Sequence, residues 1–317
     1  MTTKEKCVVA IIGAGYTARE HIRAFQDISS VKIAGITSRT RARAEALAAE
    51  FNIPVVCNSV DELYTKTKAN LVVATVPELA ANSVSRACFE YPWTVLMEKP
   101  AGYNLADAED IESAARAKNS RVYVALNRQF YSSTQTVTSD LKNSNEPRYI
   151  KVQDQEDQTQ ALASGQPALV VQNWMYANSI HIIDYFRFLG RGKIVNVKPV
   201  VAWNPSKPGV VVSRIDYDSG DIGLYEGIWN APGPWAVSVT SSSRRWELRP
   251  LEQASYQNRG ERKLQTIEPH VWDQTFKPGF RMQAEHAVYA ALGKPSLSTS
   301  IEDAYETMKL VRDIFQQ

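Results

Sequence analysis

Histidine and cysteine are both scarce, with four and three copies in 317 residues, which leaves little for a metal centre or a disulfide framework. Cys7, Cys57 and Cys88 are odd in number, lie in apolar strand-like or helix-like settings and show no ligand spacing. Reduced, buried thiols in a cytoplasmic protein are therefore expected. His21, His181, His270 and His286 are too scattered for a metal site, and none is expected. An excess of one charge is also missing. The 36 Lys and Arg against 34 Asp and Glu leave a net charge of +2, which offers no field to a nucleic acid or a membrane surface. No apolar run approaches the roughly 20 residues of a membrane span. Lys4 and Lys6 precede an apolar run that ends in a glycine turn without a cleavage-site pattern, so no secretory signal is expected. Repeats and low-complexity stretches are absent. What is there, 44% hydrophobic and 22% charged, has the balance of a globular chain of two domains.

The most informative segment is Gly13-Ala14-Gly15-Tyr16-Thr17-Ala18, which follows the apolar run 7–12 and precedes a helical stretch, 19–28. Strand, glycine turn and helix are the context a dinucleotide site needs. Gly13 allows the tight turn, Gly15 lets the backbone approach a pyrophosphate, and Ala18 lets helix and strand pack closely. The helix start offers free N–H groups and a partial positive charge to phosphates. The blander reading is an ordinary strand-to-helix turn.

Strand and helix patterns alternate through residue 125. Strands are expected at 31–36, 54–57, 71–75, 93–97 and 122–126, and helices at 41–51, from 61, at 78–89 and at 105–118. Such alternation implies a parallel sheet covered on both faces, hence a doubly wound α/β domain over 1–125. The pattern then changes. A helix at 131–141 and a strand at 149–153 precede a polar stretch, 154–166, that reads as a loop or mobile helix. A helix follows at 174–189. Strands at 194–201, 210–217, 223–229, 236–241 and 246–251 have no helices between them, and Asp218-Ser219-Gly220-Asp221 is a hairpin signal. Two helices, 281–292 and 301–315, close the chain. Residues 126–317 are thus expected to form an α+β domain around a mostly antiparallel, open-faced sheet.

Three further groups carry chemistry. An NAD site places Asp or Glu on the adenosine ribose about 20 residues beyond the glycines, but here the second strand ends Thr37-Ser38-Arg39. Ser38 can donate to a 2′-phosphate, Arg39 can pair with it or stack on adenine, and Arg43 lies one helical turn on. This favours NADP, with NAD possible; the alternative is that Arg39, Arg41 and Arg43 form a solvated helix start. Glu98-Lys99-Pro100 ends a strand at the edge where such sheets bind ligands. Pro100 excludes the helical conformation for Lys99 and can follow a cis peptide, and either would aim the lysine into the crevice. A surface lysine is the alternative. His181 and Asp184 are three apart and share a helix face. Asp184 can orient the imidazole, and an imidazole near its ordinary pKa suits proton transfer, unless His181 is a core or capping residue. His21 is expected to pack inside its domain.

Together these pieces resemble the Gfo/Idh/MocA family of NAD(P)-dependent oxidoreductases. The glycine turn with His21 beyond it, Thr75-Val76-Pro77, Glu98-Lys99-Pro100, Asn127-Arg128-Gln129-Phe130 and His181 with Asp184 occur in the family's order, and the stretch from Phe280 through Ile301-Glu302-Asp303-Ala304 resembles its closing helices. The resemblance implies a Rossmann domain followed by the α+β domain. It implies that Lys99 binds the reacting oxygen and that His181 is the general acid/base. Gly13, Gly15, Tyr16, Thr17 and Ala18 would line the pyrophosphate, with Thr75, Pro77, Glu98 and Asn127 near the nicotinamide. It also implies a substrate against the open face of the second sheet and a homodimer or homotetramer through that sheet. Three departures stand out: Ala177 replaces an Asp four residues before the His, Ala81 replaces a His, and Gln172-Asn173-Trp174-Met175 replaces a glycine pair. Trp174, Tyr176 and Asn178 become substrate-specificity candidates, since flat rings and amides suit sugar faces and hydroxyls; a packed aromatic helix start is the alternative. The expected activity is an NADP-preferring oxidoreductase of a secondary alcohol or ketone on a sugar, polyol or nucleotide sugar. A non-catalytic dinucleotide-binding regulator and an NAD-dependent glycoside hydrolase are the rival expectations.

Overall fold

A computed structural model describes residues 6–317, so Lys4 lies outside the described residues. The first six strands are β1 (Cys7–Ile12), β2 (Val31–Thr37), β3 (Val56–Cys57), β4 (Leu71–Ala74), β5 (Thr94–Met97) and β6 (Val122–Val124). Then come β7 (Tyr149–Glu156), β8 (Ile194–Val201), β9 (Val210–Tyr217), β10 (Ile222–Trp229), β11 (Ala236–Thr240), β12 (Arg244–Leu248), β13 (Ala254–Asn258), β14 (Gln265–Ile267) and a last short strand, β15 (Thr299–Ser300). They form two units. One comprises the chain up to Leu126 together with Thr275–Tyr305, the other Asn127–Gln274 together with Glu306–Gln317.

The first unit is built on a sheet of order β15-β6-β5-β4-β1-β2-β3. All its pairs are parallel except β15 with β6. β4 and β5 read Leu-Val-Val-Ala and Thr-Val-Leu-Met and are buried throughout. Unbroken apolar strands are what a sheet covered on both faces requires. The strand order reverses beside β1, where such folds open a crevice at the carboxyl edge. Ala18, Ile22 and Phe25 of the helix Tyr16–Gln26 bury against β1. The same core takes in Phe280, Ala284, Ala287 and Val288. Their spacing makes one apolar stripe along the helix Phe280–Ala291. The division expected at 125/126 therefore lacks a return: residues 275–305 belong with the first unit, because that stripe completes its core and β15 extends its sheet.

The second unit carries the sheet β14-β13-β12-β11-β7-β10-β9-β8, antiparallel except for the pair β7 with β10. Two corrections arise here. β7 does not stop at 153. Asp154 and Glu156 continue its inward-facing positions after Ile150 and Val152, opposite Gly227 and Trp229 of β10. Acids at core positions break the apolar alternation, so the end of the strand looked like a loop. Beyond it Asp157 accepts from the Gln160 N–H at 2.9 Å and caps a short helix, Gln158–Ala163. The helix expected at 174–189 is also interrupted, running as a π-turn (Met175–Ser179) into Ile180–Ile183 and Tyr185–Leu189. β13 and β14 escaped notice because neither alternates cleanly.

Candidate functional site

In the first unit the two glycines of the turn do different work. Gly13 has φ +104°, and a Cβ there would stand 2.2 Å from the Thr75 carbonyl oxygen. The Thr75 N–H and hydroxyl both donate to the Ile12 carbonyl, at 2.7 and 2.9 Å, which brings β1 and β4 that close. Gly15 has an ordinary φ of −96° and would meet nothing within 4 Å with a Cβ added. The protein's own packing does not ask for glycine at 15; a ligand pressed against the backbone would. Gly15 caps the helix Tyr16–Gln26 without any side-chain bond, so the first N–H groups of that helix face the open space. Tyr16 is 67% exposed, and the Lys277 ammonium lies 5.4 Å from its ring centre. Thr17 is half-buried and Ala18 buried. These residues fit a pyrophosphate.

At the end of β2, Ser38 is half-buried and accepts from the Thr40 N–H at 3.3 Å. Arg41 is committed to Glu45 at 2.7 Å and to Asn58. Arg39 and Arg43 are exposed, and their guanidinium groups have no hydrogen bond or ion pair among the described residues. Two cations thus stand uncommitted where a dinucleotide's adenosine end would come.

On the same carboxyl edge, His21 Nε2 and Glu98 Oε1 are 2.7 Å apart, and the His21 ring packs 4.6 Å from that of Phe280. Burial works to raise the Glu98 carboxyl. The His21 hydrogen bond and the charges of His21, Lys99 and Lys277 outweigh it and hold Glu98 below the usual range. Lys99 is half-buried and precedes a cis bond to Pro100. Thr75 is half-buried, Pro77 exposed and Ala81 buried.

In the second unit His181 is buried and meets the edge of Trp235, ring centres 6.5 Å apart. The Trp235 ring also faces the Arg128 guanidinium, which lies against Tyr131 as well. Asn127 is buried and accepts from Arg128 at 2.8 Å.

Asp184 and the three substrate-specificity candidates turn inward instead. Asp184 is buried and accepts from Arg187 at 2.8 Å and Thr307 at 2.8 Å, which ties its helix to the last one. It does not orient His181. Tyr176 is buried and donates to the Gln317 carbonyl at 3.1 Å. Trp174 Nε1 donates to Glu156 at 2.6 Å, and the Asn178 amide donates to both Glu156 oxygens at 3.1 and 2.9 Å. The packed-start alternative holds for these side chains. Beside them the Tyr225 hydroxyl donates to Asp154 at 2.6 Å. Burial, and then the nearby Asp154 charge, push the Glu156 carboxyl well above its ordinary range, and burial raises Asp154 too. His181 is carried by the helix Ile180–Ile183, which packs against β7.

Lys277, the His21–Glu98 pair, the Glu156 anchor and the Arg128–Trp235–His181 group went unseen in the sequence. All depend on residues far apart in the chain, such as 128 and 235. Trp235 does carry one local signal, its place after the turn-forming Pro232-Gly233-Pro234.

Among the described residues there is no cluster of side chains able to hold a metal, no helix long and apolar enough to cross a membrane, and the three cysteines are buried and unbridged.

Residues 7–126 match the family described as oxidoreductase family, NAD-binding Rossmann fold (Gfo/Idh/MocA). These residues are a Gfo/Idh/MocA NAD-binding domain. Among curated proteins the chain is similar to 4-carboxy-2-hydroxymuconate-6-semialdehyde dehydrogenase of Sphingobium sp. strain SYK-6. The two are 23% identical over 198 residues, a match that spans 61% of this chain and 61% of that enzyme. Among solved structures it resembles UDP-N-acetylglucosamine 3-dehydrogenase from Acidithiobacillus ferrooxidans, at TM-score 0.78 and 16% identity over 99% of this chain and 100% of that one. It also resembles a levoglucosan dehydrogenase in complex with NADH and levoglucosan, at TM-score 0.81 and 14% identity over 98% and 97% of the two chains. At these identities the two structures show that the chain shares their fold.

Proposed function

We propose that the chain is an NADP-preferring oxidoreductase acting on a secondary alcohol or ketone of a sugar, polyol or nucleotide sugar. The observation that carries this reading is the open backbone cradle at Gly15, in an NAD-binding domain whose second strand ends without an acid and beside two uncommitted arginines. Two of the relatives are named for sugar substrates, which supports the substrate class.

Gly13, Gly15, Tyr16, Thr17 and Ala18 hold the pyrophosphate, and Ser38, Arg39 and Arg43 the 2′-phosphate. Thr75, Pro77, Glu98 and Asn127 serve the nicotinamide half. A bound nicotinamide supplies or accepts a hydride. Lys99 binds the reacting oxygen and stabilises negative charge on it. His181 gives a proton to that oxygen in reduction and takes it in oxidation. Trp174, Tyr176, Asn178 and Asp184 have their polar atoms engaged inside the fold and take no part.

The open face of the second sheet, with Leu224 and Ile228 half-exposed on β10, is the surface through which the chain pairs with further copies of itself. Multi-angle light scattering on wild type and Leu224→Lys should find a dimer or tetramer that the charge dissociates.

The deciding measurement is a tryptophan-fluorescence titration with NADPH and NADH on wild type and Arg39→Ala. Tighter NADPH binding in wild type, reduced roughly tenfold or more by the loss of a charge-assisted contact in Arg39→Ala, is expected. Equal affinities for both nucleotides would defeat the 2′-phosphate assignment.

A further inference from the structure

Arg128 belongs to a motif whose family resemblance assigns it no task here, and its surroundings in the second unit are unusual. Tyr131 and Trp235 flank the guanidinium at 5.3 and 5.7 Å from their ring centres. Among the described residues its one hydrogen bond goes to the neighbouring Asn127 amide oxygen, at 2.8 Å, and its Nε is buried with no acceptor. Other partly buried arginines of this unit have acid partners: Arg187 pairs with Asp184, Arg191 with Asp221 and Arg244 with Asp140. Arg148, whose Nε is likewise buried without an acceptor, donates from its terminal nitrogens to the carbonyls of Leu141, Ser144 and Leu189. Glu252 and Asp273 act on the Tyr131 hydroxyl from a distance, neither forms an ion pair with Arg128, and Asp273 accepts from the Ser132 N–H at 2.6 Å. Trp235 meanwhile touches the ring of His181.

A guanidinium is a planar fork of donors that matches a carboxylate in two parallel bonds. Two flanking rings fix its plane and keep water from its faces, so an anion there meets a preorganised and poorly screened partner.

We propose that Arg128 recognises a carboxylate of the substrate, so that the molecule handled beside His181 is a sugar acid or related hydroxy acid rather than a neutral sugar. This rests on the reading of the chain as a nicotinamide-dependent oxidoreductase, and it narrows that reading's substrate class. A dinucleotide phosphate is the other oxyanion that an arginine could meet, and the test separates the two.

Wild type, Arg128→Met and Arg128→Lys are first titrated with NADPH and NADH by fluorescence. The nucleotide-loaded proteins are then titrated calorimetrically with D-glucuronate, D-gluconate and neutral D-glucose, and thermal melting of each variant confirms that it is folded. The expected result is that wild type binds the acids more tightly than glucose. Arg128→Met should weaken acid binding about tenfold to a hundredfold, with nucleotide and glucose binding unchanged. Arg128→Lys, which keeps the charge but loses the fork, should fall between. Wild type that binds the acids no better than glucose, or binds neither acid, overturns the proposal. So does an Arg128→Met variant that loses nucleotide affinity and keeps its preference for acids, since the cation would then belong to the cofactor. Wild type that binds no nucleotide defeats the oxidoreductase reading instead; the acid titrations, repeated without nucleotide, then decide Arg128 on the same criteria.

Discussion

Two glycines two positions apart in the same turn should fail in opposite ways. Gly13→Ala puts a methyl group 2.2 Å from the Thr75 carbonyl oxygen at a φ of +104°, where an L-residue is strained. Parting β1 from β4 at that point should cost several kcal/mol on the order of other severe core changes, read as a large drop in melting temperature. Gly15→Ala has ordinary φ and empty space around it, so the melting temperature should stay within a degree or two while NADPH affinity falls tenfold or more by titration. Equal melting losses in both would mean that Gly15 is structural. The proposed catalytic residues separate on another axis. Lys99→Ala and His181→Asn should each lower kcat about a hundredfold or more, the usual scale of acid–base and oxyanion groups, and shift the NADPH dissociation constant by no more than a few-fold. A matching loss of nucleotide affinity in Lys99→Ala would make that lysine a cofactor ligand only. At this scale the sequence was most legible where a residue's task depends on its immediate neighbours. Gly13 has the positive φ that its turn suggested, Ala18 is buried against its strand, and the Lys99–Pro100 bond is cis. Asp184 and Asn178 were misread because the spacing that puts side chains on one helix face says nothing about what that face meets.

The strand β7 and the π-turn after it hold the second unit's least expected chemistry. The Glu156 carboxyl group gathers Trp174 and Asn178, and so fixes the turn Met175–Ser179 just ahead of His181. π-turns inside helices often mark functional sites, because the extra residue re-aims the side chains that follow. The pair Asp154 and Glu156 retains protons that an unfolded chain would release near the ordinary carboxylate range. Below that range both states carry the protons and stability is at its fullest. As pH rises towards the raised folded values, only the unfolded chain ionises, so stability falls with pH across that window. Glu156→Gln, which keeps a similar shape and cannot ionise, should show a shallower decline in melting temperature from about pH 4 to pH 7 than wild type. Parallel curves would show that Glu156 titrates in the native state much as it does when unfolded. Sequence patterning could not reveal this strand's last turn, since its test for a buried strand is apolar alternation. A buried acid pair held by a tyrosine, a tryptophan and an asparagine from elsewhere in the chain fails that test by construction.

At the scale of the molecule, the alternation of strand and helix gave away the first sheet, and the loss of that alternation gave away the second. What the pattern could not convey was the chain's return. Phe280 and Val288 are buried in the first unit's core, together with Ala284 and Ala287. Burying each large apolar side chain contributes about 1.5–3 kcal/mol, against a total stability of roughly 5–15 kcal/mol for a typical domain. A fragment of residues 6–126 should therefore lack a cooperative urea transition, and one with 275–305 attached through a flexible linker should regain it. A sharp transition in the short fragment would mean that the returning helix is dispensable.

The chain passes from one unit to the other after Leu126, again after Gln274, and a third time after Tyr305, inside the helix Ile301–Phe315. No single cut divides the two halves, and no simple end-to-end fusion recombines them. An exchange of the nucleotide-binding half between relatives has to transplant two separate stretches of gene and splice one of them in mid-helix. Descent with both halves together is the easier course, so cofactor and substrate preferences in this lineage should change by substitution in place rather than by shuffling.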